Sequence, residues 1–221
     1  MNRDELLKEM YDSTLVGNAP AVLELTQAGL EMGLDPETLL FDALIPSLEE
    51  VGARFERGDF FVPEMLIAGR AMAGALDLLR PLLAETGVEP VGTFVMGTVK
   101  GDVHDIGKNL VDIMLEGAGF QVIDLGVQVA PEKFIEAIQE YKPDIVGFSA
   151  FLTTTMPMFK ANMNALEKAG LREQVIVMVG GAPVTQEYAD AVGADGYASD
   201  ASAAVKLAKD LLMRKRASVL A

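Results

Sequence analysis

The 221-residue chain contains no cysteine, no tryptophan and a single histidine. Without cysteine there is no disulfide, no thiolate zinc site, no iron–sulfur ligation and no cysteine nucleophile. A lone histidine, His104, rules out metal sites built on two imidazoles, and with no thiolate beside it a structural zinc site is disfavoured too. Basic side chains are scarce: 18 Lys and Arg stand against 33 Asp and Glu, a formal charge of −15. That field repels nucleic acid and anionic membrane, so neither is expected as a partner. No apolar run reaches the roughly 18 residues of a membrane span. The N-terminal Met-Asn-Arg-Asp-Glu is charged at once and lacks a signal-peptide core. The missing cysteine fits a reducing compartment, and a cytoplasmic location is expected.

What is present is apolar and regular. Half of the residues are hydrophobic, and twelve methionines provide adaptable packing. Residues 1–88 read as helices alone: Asp4–Val16, Ala19–Met32, one from the Asp35-Pro36 cap to Arg57 with a kink at Pro46, and one from Pro63 to near Gly87. Pro81 predicts an irregular last turn. Short connections make this an N-terminal antiparallel four-helix bundle. Thr86–Pro90 is the candidate linker. Residues 89–221 alternate strand and helix. Strands are expected at Val91–Val99, Phe120–Leu125, Asp144–Ser149, Val175–Val179 and Gly196–Ala198. Helices are expected at Ile106–Glu116, Pro131–Tyr141, Met156–Lys168, Thr185–Ala191 and Asp200–Lys215. The Val/Ile-rich runs suit a parallel sheet covered on both faces. The fold class is therefore α/β: a helical cap followed by a flavodoxin-like, Rossmann-like, doubly wound five-stranded parallel sheet of order 2-1-3-4-5.

In that order the ends of strands one, three and four meet at one crevice. The first loop lies in Met96-Gly-Thr-Val-Lys100-Gly-Asp-Val-His104-Asp-Ile-Gly107-Lys-Asn109. Asp102 stands two residues before His104, close enough to fix the imidazole tautomer and leave the other nitrogen free as a metal ligand. The second loop is Ser149-Ala-Phe151-Leu-Thr153-Thr154-Thr155, the third Gly180-Gly181-Ala182-Pro183. Dinucleotide and phosphate-loop fingerprints are absent: no G-x-G-x-x-G follows the first strand, and Gly101 to Gly107 spans one residue too many for a phosphate loop.

These motifs resemble the cobalamin-binding module of cobalamin-dependent methionine synthase and the stand-alone corrinoid proteins of bacterial and archaeal methyltransferase systems. The cap segment Ala53-Arg-Phe-Glu-Arg-Gly-Asp-Phe-Phe-Val-Pro63-Glu-Met65 adds to the likeness, which spans almost the whole chain. The resemblance implies cobalamin bound with its own base displaced and His104 as the lower axial cobalt ligand, Asp102 accepting the other ring N–H, and Thr155 completing the relay where methionine synthase has serine. It places Gly101, Val103, Asp105, Ile106 and Gly107 at the cofactor. Ser149, Phe151, Thr153, Gly180, Gly181 and Ala182 fall along its nucleotide tail, with Phe151 where the family has leucine. Phe55, Phe60, Phe61 and Met65 would cover the upper face, on a cap that swings about the linker. The implied function is a methyl carrier cycling between Co(I) and methyl-Co(III). Its partners would be a donor-specific methyltransferase, an acceptor methyltransferase acting on a thiol or pterin, and a reductive activation protein. It is not expected to turn over alone.

Plainer readings stand beside these. Asp105 is the natural N-cap of the helix that follows, Thr153–Thr155 can cap the third α/β helix, and Phe60 and Phe61 can be bundle core. Lys108 lies in a first helical turn, where the dipole disfavours it. The alternative functions are an adenosylcobalamin-dependent isomerase subunit and a response-regulator-like signalling module. The second would need an acceptor Asp after strand three, where this chain has Ser149.

Overall fold

The protein, a computed structural model, is described over residues 1–86 and 89–219. The chain divides into two compact units: Met1–Pro90 with Glu116–Gly119, and Val91–Leu115 with Phe120–Ala221. The expected linker runs through Gly87 and Val88, which lie outside the described residues.

The first unit is helical: α1 (Arg3–Leu15), α2 (Ala19–Glu31), α3 (Pro36–Leu39), a π-helical turn (Leu40–Leu44), α4 (Ile45–Arg57) and α5 (Val62–Thr86). A capping box starts α1, with Asn2 Oδ1 accepting the Glu5 N–H and the Glu5 carboxylate accepting the Asn2 N–H, each at 2.9 Å. Helix α2 packs on α1 and α5, and α4 packs on the same two. Leu6, Met10, Val22, Leu39, Leu44, Val51, Met65 and Met72 are buried. The helix expected over Asp35–Arg57 runs without a break from Pro36 to Arg57, with a π turn at Leu40–Leu44 just before Pro46. Pro46 has no N–H, and its ring crowds the carbonyl four residues back; the wider turn at Leu40–Leu44 relieves both. Pro81, by contrast, is absorbed: α5 stays helical through it to Thr86.

The second unit runs β1 (Thr93–Thr98), α6 (Ile106–Gly117), β2 (Gln121–Asp124), α7 (Pro131–Tyr141), β3 (Ile145–Ser149), α8 (Pro157–Lys168), a 3-10 turn (Arg172–Gln174), β4 (Ile176–Gly180), α9 (Gln186–Val192), β5 (Gly196–Ala198) and α10 (Ala201–Val219). All strand pairs are parallel and the order is β2-β1-β3-β4-β5, as the sequence predicts. Alternate strand residues face opposite sides. Val95, Val146, Phe148, Val177 and Val179 join Phe134 of α7, Phe159 and Met163 of α8 and Ala189 of α9 in one core. Helix α10 meets the sheet through Leu207 and Leu211 near Gly196 and Leu212 near Gly92. The register sets Thr98 beside Ser149 and Ser149 beside Gly180, which brings the ends of β1, β3 and β4 level.

Candidate functional site

Asp102 organises the crevice at those three ends. Its backbone N–H donates to Val99 O at 3.1 Å, closing the turn after β1. Its carboxylate is fully buried and receives five donors. Oδ1 accepts the His104 backbone N–H at 3.1 Å and lies 2.7 Å from His104 Nδ1. Oδ2 accepts the backbone N–H groups of Phe151 at 2.8 Å and Leu152 at 3.1 Å. The Thr155 hydroxyl lies 2.7 Å from the same oxygen and 2.8 Å from Leu152 O; its one proton favours the charged acceptor. Burial pushes the Asp102 carboxyl up, but the hydrogen bonds from Thr155, the His104 ring and backbone and Phe151 outweigh it and hold it well below the usual carboxylate range. An ionised Asp102 requires the proton on Nδ1, so the lone pair of the imidazole sits on Nε2.

The ring is 44% exposed. Phe151 stacks on it, with centroids 4.4 Å apart and planes at 24°. This is what phenylalanine does in place of leucine: it shields one face of the imidazole. The Thr98 hydroxyl donates to His104 O at 3.1 Å, so the backbone of His104 is held from β1 as well.

The third loop joins through main chain. Ala150 N–H donates to Gly180 O at 3.2 Å, and Gly181 takes φ +132° with its α-carbon against the Ala150 carbonyl, where any Cβ would collide. Gly181 is thus a structural requirement of loop packing, before any ligand is considered. Gly107 is the opposite case. It lies in the first turn of α6, exposed, and a Cβ there would meet nothing within 4 Å. No protein atom demands glycine at this point.

The remaining expected residues are placed as follows. Gly101 is exposed at φ +85°. Val103 and Ile106 are exposed by 56% and 64%, beside Phe151 at 51%. Asp105 immediately precedes α6, and its carbonyl accepts the Asn109 N–H at 2.7 Å. Ser149 is half-buried, while Thr153 and Ala182 are exposed. Helix α8 begins at Pro157 with no side-chain cap, which corrects the capping role considered for the threonines; Thr155 is committed to Asp102 instead. In the helical unit Phe55 and Phe60 are half-buried, Phe60 under the Arg54 guanidinium 5.2 Å from its centroid, and Phe61 is largely exposed. Met65 has no exposed surface. It packs in the core of the helical unit.

Lys108, noted in the sequence without an explanation, is given one by the fold. Its side chain is fully buried, with Nζ 2.9 Å from Asp112 Oδ2, 2.7 Å from Asp124 Oδ1 and 2.7 Å from Asn109 Oδ1. Burial pushes its ammonium pKa down, but the Asp112 and Asp124 carboxylates outweigh that and raise it. Its unfavourable place in the first turn was the available signal. Among the described residues, no group of three or more His, Asp or Glu is arranged to hold a metal ion.

Two models described as B12 binding domains match residues 92–206 and 6–80. The chain is 42% identical over 213 residues to dimethylamine corrinoid protein 1 of Methanosarcina acetivorans, covering 96% of this chain and 100% of that one. The chain belongs to the corrinoid protein family. Its fold superposes on one chain of the methanol:cobalamin methyltransferase complex of Methanosarcina barkeri with a TM-score of 0.84 at 31% identity, covering 96% of this chain and 81% of that one. A cobalamin-binding protein of Desulfitobacterium hafniense matches with a TM-score of 0.68 at 30% identity, covering 92% and 97%.

The residues present fit a corrinoid. An imidazole with one nitrogen fixed and the other free is the donor a cobalt ion takes. Phe151 stacks on that ring, Val103 and Ile106 of the same loop segment expose apolar side chains, and Gly107 leaves space that a Cβ would fill.

Proposed function

We propose that the chain binds cobalamin with His104 Nε2 as the lower axial ligand, the cofactor's own base displaced, and carries a methyl group between two methyltransferases. One loads it from a small donor, and the other delivers it to a thiol or pterin after activation by a reductive partner. The observation that carries this reading is the bond between His104 Nδ1 and a buried, ionised Asp102 in a chain of the corrinoid family. When bound, the corrinoid supplies a metal centre that accepts and releases a methyl group.

The chain's own residues do the rest. Asp102 sets the imidazole tautomer and raises its basicity, Thr155 and two backbone N–H groups keep Asp102 ionised, and Phe151 holds the ring plane. Gly101, Val103, Asp105, Ile106 and Gly107 would hold the corrin side of the cofactor. Ser149, Thr153, Gly180, Gly181 and Ala182 would hold the displaced tail. Of the helical residues expected to shelter the cofactor, Phe61 has the free apolar surface for it. The relatives named for dimethylamine make a methylamine the first donor to try.

The test is electron paramagnetic resonance of the Co(II) protein reconstituted with hydroxocobalamin. A three-line nitrogen splitting that becomes two-line on 15N-histidine labelling is expected, since the chain has one histidine. His104→Ala should fold, as judged by circular dichroism, and lose the splitting. Splitting that ignores the label would sink the axial assignment.

A further inference from the structure

The buried Lys108 cluster has no part in the function described above, and its construction is costly. A lysine in the first turn of a helix opposes the dipole, and a buried ammonium adds to stability only when its partners repay desolvation. Apolar residues would pack this position at least as well. The partners show what the lysine holds. Asp112 lies one turn along α6, but Asp124 ends β2. Asp124 Oδ1 also accepts the Gly126 N–H at 2.8 Å, so ammonium and turn share one oxygen. Gly126 O accepts the Thr98 N–H at 2.9 Å, and the Thr98 hydroxyl donates to His104 O. Two residues further on, the Gln128 N–H donates to Asp102 O at 3.0 Å, and Val129 pairs with Val99. The loop after β2 is therefore laced at three points to the end of β1 and the Asp102 turn, Thr98 passes the hold on to His104, and Lys108 anchors the near end of the loop.

Within this lacing Gln128 sits at φ +55°, a conformation that non-glycine residues keep only where their surroundings over-determine it.

We infer that Lys108 is a positioning residue for the axial imidazole: with Asp124 it clamps the β2–α7 loop, which in turn fixes the backbone that presents His104. The inference rests on the reading of His104 as the cobalt ligand.

Lys108→Met and Asp124→Asn test it. Asparagine still accepts the Gly126 N–H, and position 124 is exposed, so the second variant keeps the turn and releases only the charge. Holoprotein in the Co(II) state is compared with wild type by the nitrogen splitting, and apoprotein by its affinity for cobinamide, which has no base of its own. Both variants should show a fraction of cobalt without protein nitrogen and about tenfold weaker cobinamide binding. The double variant should be no worse than either single one. Full nitrogen splitting with unchanged cobinamide affinity in Asp124→Asn overturns the inference, even if that variant unfolds at lower urea. Should Lys108→Met fail to fold, Asp124→Asn decides alone. Wild-type protein without nitrogen splitting would instead indict the His104 reading itself.

Discussion

A single carboxylate sets the chemistry of this site. Asp102 is depressed in the folded state, so its contribution is fully present above its unfolded value of about 3.9 and is lost as pH falls through the folded one. Asp102→Asn should therefore cost about 2 kcal/mol at neutral pH, the scale of charge-assisted hydrogen bonds to a buried group. The gap to wild type should shrink as pH drops below about 4. Urea unfolding at neutral pH and at the lowest pH where the protein folds measures this; a gap independent of pH would refute it. Phe151→Leu restores the family residue and removes the stack over His104. We expect that imidazole to lose about 0.5–1.5 kcal/mol of restraint. The reading is weaker cobinamide binding without a change in fold. Asp102 and His104 were legible in the sequence because their spacing sits on a recognisable strand–loop–helix pattern, and Thr155 through the resemblance to the family that this pattern suggested. The two backbone donors from Phe151 and Leu152 were not, since main-chain groups leave no trace in side-chain identity.

At the scale of elements, the sheet order and every strand were readable because apolar runs of this length, alternating with amphipathic helices, have few other arrangements. Strand ends moved by one or two residues, as at Thr93, where pairing rather than hydrophobicity sets the limit. The π turn before Pro46 was read only as a kink: proline announces that a helix must yield, not how. Lys108 was noticed and left unexplained, because its partner Asp124 is sixteen residues away on another strand and no local rule pairs them. The glycines divide by element. Gly181→Ala forces a Cβ into the Ala150 carbonyl at a positive φ and should cost several kcal/mol or prevent folding. Gly107→Ala sits in a helical turn with open space and should stabilise the apoprotein by up to about 1 kcal/mol while weakening corrinoid binding. Thermal melts of both apoproteins, with cobinamide titration of the second, check the pair; equal behaviour would contradict the division.

Over the whole molecule, the formal charge of −15 works against compaction through self-repulsion. Raising NaCl from about 20 to about 200 mM should raise the thermal midpoint by screening it, and a midpoint that falls would show that specific ion pairs dominate instead. No helix among the described residues is long and apolar enough to cross a membrane. Three of the five donors to Asp102 lie 49 to 53 residues downstream, beyond β3. During synthesis, His104 emerges long before the segment that aims it, and remains an undirected imidazole until β1 and β3 have paired across that interval. On the proposed reading of His104, competence to take a corrinoid therefore arrives late, with native topology, and a half-made chain lacks it.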